Sequence, residues 1–423
     1  MDIKKIERLD SELVQASKKI RVLKTLEWPN AAEEIFLTGW HKGNPQLPGV
    51  KFERLDLSDT ISTLDSIVNR CNQDEPVEKF LADTAQSYAD AGCMLTHVGT
   101  PDFTRYSTKI YGRPDMIYRL QGVSAVDGAN SFLKITDNLL GNARFPPTVT
   151  DISAQEFVGW LKSEVDEFFE HDSVEVVLDP NIASKALAGA TRIRVRGSAV
   201  FSQLDKDQLL YHEAFVHTAT MLNGKKQPNL KSLGLGAPRT TRTQEGIAVM
   251  AELITNSIDI TRLRRIALRV LAVKQAIDGA DFIQVFKFFL NAGQTEEESF
   301  RSTQRIFRGG DMRGGIAFTK DAVYLQGMLE VHTFMRLAIR DNRPSLIRSL
   351  FAGRLTMADA LRLDPMFESG WLHPPVYLPH WASDMRRLSA MIAFSAVIAN
   401  IDLHKVYLER VIELEDELKV QGA

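Results

Sequence analysis

Only two stretches of this chain have the β-branched content and apolar–polar alternation of strands. They are VEVVLD, Val174 to Asp179, and TRIRVRGSAVF, Thr191 to Phe201, where Ile193 and Val195 alternate with Arg192, Arg194 and Arg196. Two strands cannot enclose a core, so most of the apolar surface must be buried by helices. From Ile6 the apolar positions step through Leu9, Leu13, Ala16, Ile20 and Leu23, which predicts one amphipathic helix ending near Trp28–Pro29. The stripe Leu403, Tyr407, Val411, Leu414 and Leu418 repeats the pattern and is expected to dock on the protein's own body. Val50 to Arg70 reads as loop-rich. Gly141 to Thr150, GNARFPPTVT, reads as a boundary, and beyond residue 205 nearly everything is helical with turns at NGKKQPN, RGGDMRGG and HPPVYLPH. The expected class is a helix-dominant α+β fold in three regions: a mostly helical 1–150, a core with the small sheet at 151–260, and a helical 261–423 completing a cleft.

Composition narrows the function classes. With 44% hydrophobic and 25% charged residues over 423 positions, the chain can build a large core. Its 51 basic and 54 acidic residues, net −3, leave no excess charge for a phosphate backbone, so nucleic acid is not an expected partner. The cysteines, Cys71 and Cys93, have neither zinc-ribbon spacing nor the density of a disulfide scaffold, and MDIKKIERLD has no apolar signal region. A cytoplasmic setting is expected. The longest near-apolar run, Leu388 to Ala399, is shorter than the roughly 20 residues that span a bilayer and is expected to be a buried core helix.

The chemistry is concentrated after the second strand, in SQLDKDQLLYHEAFVHTATMLNG. Ser202 or Asp205 can cap a helix there and Asn223–Gly224 can end it. Inside stand His212, Glu213 and His217. Two histidines four apart on a helix converge on one zinc ion with the intervening glutamate as base, but here the spacing is five, about 140° of rotation in a regular α-helix. Shared coordination therefore predicts a π-bulge between His212 and His217. A catalytic zinc takes three protein ligands, and the next donor is Glu245 in TRTQEGIAVMAELI, where Thr241 and Gln244 have capping-box form and Glu252 is a second shell or alternative ligand. Strand, motif helix and capped helix with a glutamate follow the order of a zincin-like peptidase core.

HEAFVH followed by TQEGIAVMAE, together with LRRIALRVLAV, STQRIFRGG and FTKDAVYLQG, resembles the QEGLA-motif family over roughly residues 5 to 400. That family includes the flavohaemoglobin-expression-modulating proteins and the microtubule-associated tyrosine carboxypeptidases. Ile247 replaces the leucine of the motif, a volume-conserving change. The resemblance implies a zinc metallopeptidase of carboxypeptidase type, with His212, His217 and Glu245 as ligands, Zn2+ as cofactor, Glu213 as general base and a peptide or protein C-terminus as substrate. The tubulin substrate does not carry over, because the chain shows no basic extension for microtubules. Alternatives are an inactive regulatory or scaffold protein affecting haemoprotein expression, and a zinc amidase acting on a non-protein amide.

For substrate binding, Arg308 is the expected clamp for the terminal carboxylate, Tyr324 the donor to the oxyanion, and Lys320 lies four residues before Tyr324 on the same face. Arg239 and Arg242 are competing anion binders, and His373 and His380 are left outside the site. Arg194 to Val200 is expected to be the edge on which an extended peptide adds.

Overall fold

The computed structural model describes residues 2–29, 31–118, 122–142, 148–180, 182 and 184–398. The architecture is helix-dominant α+β. The first helix, Ile3–Ser17, is capped by Asp2 and buries Ile6, Leu9, Leu13 and Ala16. It stops well short of Trp28, and a separate short helix, Val22–Thr25, follows. The reason is visible in burial: Ile20 is inside but Leu23 is 39% exposed, so the apolar spacing beyond Ala16 does not describe one face. The segment read as loop-rich is irregular only as far as Leu57, because the helix Ser58–Arg70 buries Leu64 and Ile67. Asp56 accepts from the Ser58 backbone N–H at 3.1 Å and starts it.

Three apolar clusters hold the molecule together. One draws on helices from Ile3–Ser17 to Met385–Ile398, with Pro76–Thr96, Thr241–Ile254 and Val323–Arg340 at its centre. The last two of these helices cross at backbone distance. A Cβ on Gly246 would lie 2.3 Å from the Gly327 carbonyl oxygen, and one on Gly327 would lie 2.1 Å from that of Arg242. Neither site accepts a side chain. A second cluster sits under the sheet, where Phe157 stacks on Phe201, and a third gathers Phe36, Phe282, Phe286 and Phe300.

The two predicted strands are present, and the second is interrupted at Gly197–Ala199. The strands are β1 Ile152–Ser153, β2 Glu175–Asp179, β3 Ala186–Ala188, β4 Arg192–Arg196 and β5 Val200–Phe201. β1 pairs antiparallel with β5, while β4 pairs in parallel with β2 and antiparallel with β3, giving the order β2-β4-β3. This corrects the edge assignment. Arg194 lies in the middle strand, hydrogen-bonded on both sides; β2 and β3 are the two edges of this sheet, and β3 is the one that lines the cleft. Its register puts Leu187 opposite Arg194, and Arg196 N and Gly189 N bond across to Lys185 and Arg192, so the polar groups of Ala186 and Ala188 face away from β4.

Other expectations are also revised. The described part of the Leu388 to Ala399 run, up to Ile398, is not a buried helix: within Met385–Ile398 only Leu388 and Ile392 are buried, and Phe394 and Val397 are exposed, because one face alone packs on Val323–Arg340. Among the described residues no helix is long and apolar enough to cross a membrane. Asn223–Gly224 does not end its helix, which runs to Lys226. Asn223 is buried instead, accepting from the Val376 and Tyr377 backbone N–H groups. The stripe Leu403 to Leu418 and residues 143–147 of the Gly141–Thr150 boundary lie outside the described residues.

Candidate metal centre and cleft

The motif segment is one continuous helical run. Ser202 and Asp205 form a capping box at its start, Gln203–Leu209 is α-helical, Leu210–Thr218 is π-helical and Ala219–Lys226 is α-helical again. The π register puts residues five apart one turn above each other, as the His212–His217 spacing requires. The run is wedged between two apolar clusters, with Val216 in one and Leu210 and Ala214 in the other, so packing on both sides fixes its rotation. His212 and His217 are buried, their rings perpendicular with centroids 4.8 Å apart.

Glu245 comes to them from the next helix, Thr241–Ile254. The expected Thr241–Gln244 capping box is absent: Thr240 precedes the helix, and its hydroxyl donates to Ala237 O at 2.8 Å. Glu245 Oε2 lies 3.4 Å from Nε2 of His212 and 3.4 Å from Nε2 of His217, and one ligand atom from each of the three residues falls within a 4.8 Å set. Oε2 has no hydrogen-bond partner. The donors therefore face a common point without satisfying one another. Zinc–ligand bonds of about 2.1 Å in tetrahedral geometry put neighbouring donors about 3.4 Å apart, so this donor set fits zinc.

Behind His212 stands Glu252, which the structure places outside the donor set. Its Oε1 is 2.7 Å from His212 Nδ1 and accepts from Arg262 Nη2 at 3.0 Å, and its Oε2 accepts from Arg262 Nε at 3.2 Å. The carboxylate on Nδ1 favours the tautomer whose Nε2 lone pair faces Glu245. Burial works to raise Glu252, but Arg262 and His212 outweigh it and hold the carboxyl at about 2. In the metal-free protein, burial would lower His212, yet Glu245 and Glu252 lift it to about 10; burial pushes His217 down. His217 Nδ1 has no partner among the described residues.

The centre forms the floor of a cleft of about 1040 Å³ that runs between the sheet and the segment around Trp28. Glu213 also lines it, and its Oε2 accepts from the Ala188 backbone N–H of β3 at 2.9 Å. This bond ties the glutamate to the open strand edge. Of the expected substrate residues, Arg308, Lys320 and Tyr324 all line the cleft. Lys320 Nζ is 3.0 Å from Glu245 Oε1, and although burial opposes it, this lysine holds the Glu245 carboxyl well below the usual carboxylate range. Tyr324 OH accepts from Arg305 Nη2 at 3.3 Å, which leaves the phenolic proton for another acceptor. Arg305 itself is paired with Asp321. Arg308 has no carboxylate partner among the described residues and its Nε is buried without an acceptor; burial brings its pKa down to about 10.

Arg239 and Arg242 are not in the cleft. The first pairs with Asp359 at 2.8 Å, and the second donates to Tyr111 O at 3.0 Å. His373 and His380 do not line it either; the His373 backbone is bonded to Gln227. Nothing in the residue pattern points to Arg354, which lines the cleft and donates from Nη1 to Gln244 Oε1 at 2.8 Å, or to Trp28, which also lines it. Neither lies in a motif. Gln244, by contrast, stands directly before Glu245.

The protein-family model described as microtubule-associated tyrosine carboxypeptidase matches residues 37–400. No curated protein matches the chain.

Proposed function

Because the chain belongs to the microtubule-associated tyrosine carboxypeptidase family, we propose that it is a zinc-dependent metallopeptidase of carboxypeptidase type, acting on the C-terminus of a peptide or protein. The observation that carries this reading is the meeting of His212, His217 and Glu245, three buried donors from two helices, on the floor of an open cleft. His212, His217 and Glu245 would hold the ion. Bound zinc supplies Lewis acidity and lowers the pKa of water from 15.7 to about 7.

The rest is done by side chains of the chain. Glu213, anchored on Ala188, takes the proton of the attacking water and later delivers it to the leaving amine. Tyr324 donates its phenolic proton toward the oxygen on which charge develops, and Lys320 fixes Glu245 from the side away from the imidazoles. Arg308 receives the terminal carboxylate. An unpaired guanidinium in a cleft wall gains most from an anion that brings its own charge. The open side of β3 accepts an extended peptide beside Glu213. Residues 151–260 serve as a zincin-like core, with the described parts of 1–150 and 261–423 closing the cleft. Two free cysteines suit a reducing cytoplasm.

Incubation of the protein with matched peptides bearing free or amidated C-termini tests this reading. Single-residue loss from the free-carboxylate series is expected, and Glu213→Gln should lower turnover by about 10²- to 10⁴-fold while zinc stays bound. Equal cleavage of amidated peptides, or unchanged turnover in that variant, contradicts it.

A further inference from the structure

Five arginines in and around the cleft, Arg262, Arg269, Arg305, Arg308 and Arg354, are largely but not fully buried, and they fall into two groups. Arg262 is paired with Glu252, and Arg269 and Arg305 with Asp321. Arg308 and Arg354 have no carboxylate within 4.0 Å among the described residues, and the Nε of each is buried without an acceptor. A buried guanidinium without a counter-ion is costly, and two that both line the same cleft point to negative charge arriving with the substrate.

The two differ in what surrounds them. Arg308 is influenced by Arg305, Asp321, Tyr324 and Glu27. Arg354 is influenced by Glu245, Glu213 and Tyr88, the first two being groups of the proposed reaction centre. Its backbone is clamped in place: Arg354 N donates to Leu233 O at 2.7 Å, and Gly353 packs so closely that a Cβ there would lie 2.9 Å from Leu233 O. Its side chain is held by Gln244, whose Oε1 is 2.8 Å from Arg354 Nη1 and 2.8 Å from Thr220 Oγ1. A guanidinium only donates, so this contact also sets the amide orientation, and it leaves Gln244 Nε2 as a further buried donor without an acceptor. The Gln-Glu-Gly run thus has a division of labour. Gln244 holds Arg354, Glu245 faces the imidazoles, and Gly246 allows the close helix crossing.

Resting on the peptidase reading, we infer that Arg354 is a further catalytic residue, donating to the oxygen of the scissile carbonyl as that oxygen becomes negative, while Arg308 takes the terminal carboxylate. In this step the water oxygen forms a bond to the carbonyl carbon, its proton passes to Glu213, and the carbonyl π pair moves onto the oxygen facing Arg354. The pair then returns to re-form the carbonyl as the C–N bond breaks, and the proton from Glu213 goes to the amine. Burial lowers Arg354 to about 10, so it stays charged at neutral pH.

The test uses the zinc-loaded full chain, comparing wild type with Arg354→Gln, Arg354→Lys and Arg308→Ala on a free-carboxylate peptide. A phosphinate peptide is titrated in parallel as a mimic of the tetrahedral anion. Arg354→Gln is expected to lower kcat by about 10²- to 10³-fold with KM within a few-fold, to weaken phosphinate binding by a similar factor, and to be partly restored by lysine. Two results overturn the inference: unchanged kcat in folded, zinc-containing Arg354→Gln, or a rise in KM confined to free-carboxylate peptides, which makes Arg354 the carboxylate clamp. A wild type that hydrolyses no peptide defeats the peptidase reading itself, and the inference with it.

Discussion

Replacing Glu252 by glutamine tests how the proposed metal centre is supported, because this carboxylate contacts His212, a proposed ligand, on one side and a buried cation on the other. Glu252 is fully buried, and its two oxygens meet His212 Nδ1 at 2.7 Å and Arg262 at 3.0 and 3.2 Å. Glutamine keeps one acceptor for the imidazole but turns an amide donor toward a guanidinium donor and leaves Arg262 without its counter-charge. The expected stability loss is about 3–5 kcal/mol, the usual result of breaking a buried ion pair. Removing the anionic acceptor behind a ligating imidazole should weaken zinc by about 10- to 100-fold. Thermal unfolding with and without chelator reads the first effect, and competition against a chromophoric chelator reads the second. A folded Glu252→Gln protein whose zinc affinity stays within twofold of wild type would refute the supporting role. The same pair makes a pH prediction. The Glu252 pKa falls from 4.5 to about 2 on folding, so its contribution, about 3 kcal/mol, is fully present above pH 4.5 and is lost as the pH falls toward 2. In the metal-free protein the stability of wild type should therefore fall more steeply between pH 4.5 and 2 than that of Glu252→Gln, which lacks this titrating group; a variant with an undiminished acid slope would contradict the linkage.

Two further substitutions have clear expected outcomes. Arg308→Ala should raise KM for free-carboxylate peptides by about 10- to 100-fold, the loss of a charged hydrogen bond, and leave amidated peptides unaffected; equal loss for both contradicts the clamp. Gly327→Ala should destabilise by about 1–3 kcal/mol or more, since the new methyl lies 2.1 Å from Arg242 O, and an unchanged melting temperature would show that the two helices can separate at no cost.

Much of the site was legible because its parts obey local rules. The five-residue spacing of His212 and His217 is incompatible with shared coordination on an α-helix, so the expectation of a shared ion carried with it a π segment, and one is found at Leu210–Thr218. Ser202 and Asp205 cap that run as their order implies. Glu245 could be found because it follows on the next helix, although its helix starts without the side-chain cap that Thr241 suggested. What escaped the sequence depends on tertiary packing. Ala-Leu-Ala of β3 has no β-branched residue and is only three residues long, so nothing local marks it as the edge strand beside the cleft. Leu23 continues the spacing of the first helix but is exposed, since the chain turns after Ser17. Arg239 and Arg242 lie closer in sequence to Glu245 than Arg354 does, yet their partners Asp359 and Tyr111 draw them away, and Arg354 arrives from 109 positions later through its bond to Gln244. Charge and spacing name candidates; which cation reaches the cleft is decided by which carboxylates the fold has already placed beside the others.

Metal analysis of the purified chain beside His217→Ala tests the central claim most directly. One zinc per wild-type chain, removed by strong chelator and lost or greatly weakened in a folded His217→Ala protein, is the predicted result. Wild type without zinc after loading, or a variant retaining the full complement, contradicts the convergence of His212, His217 and Glu245 on one ion.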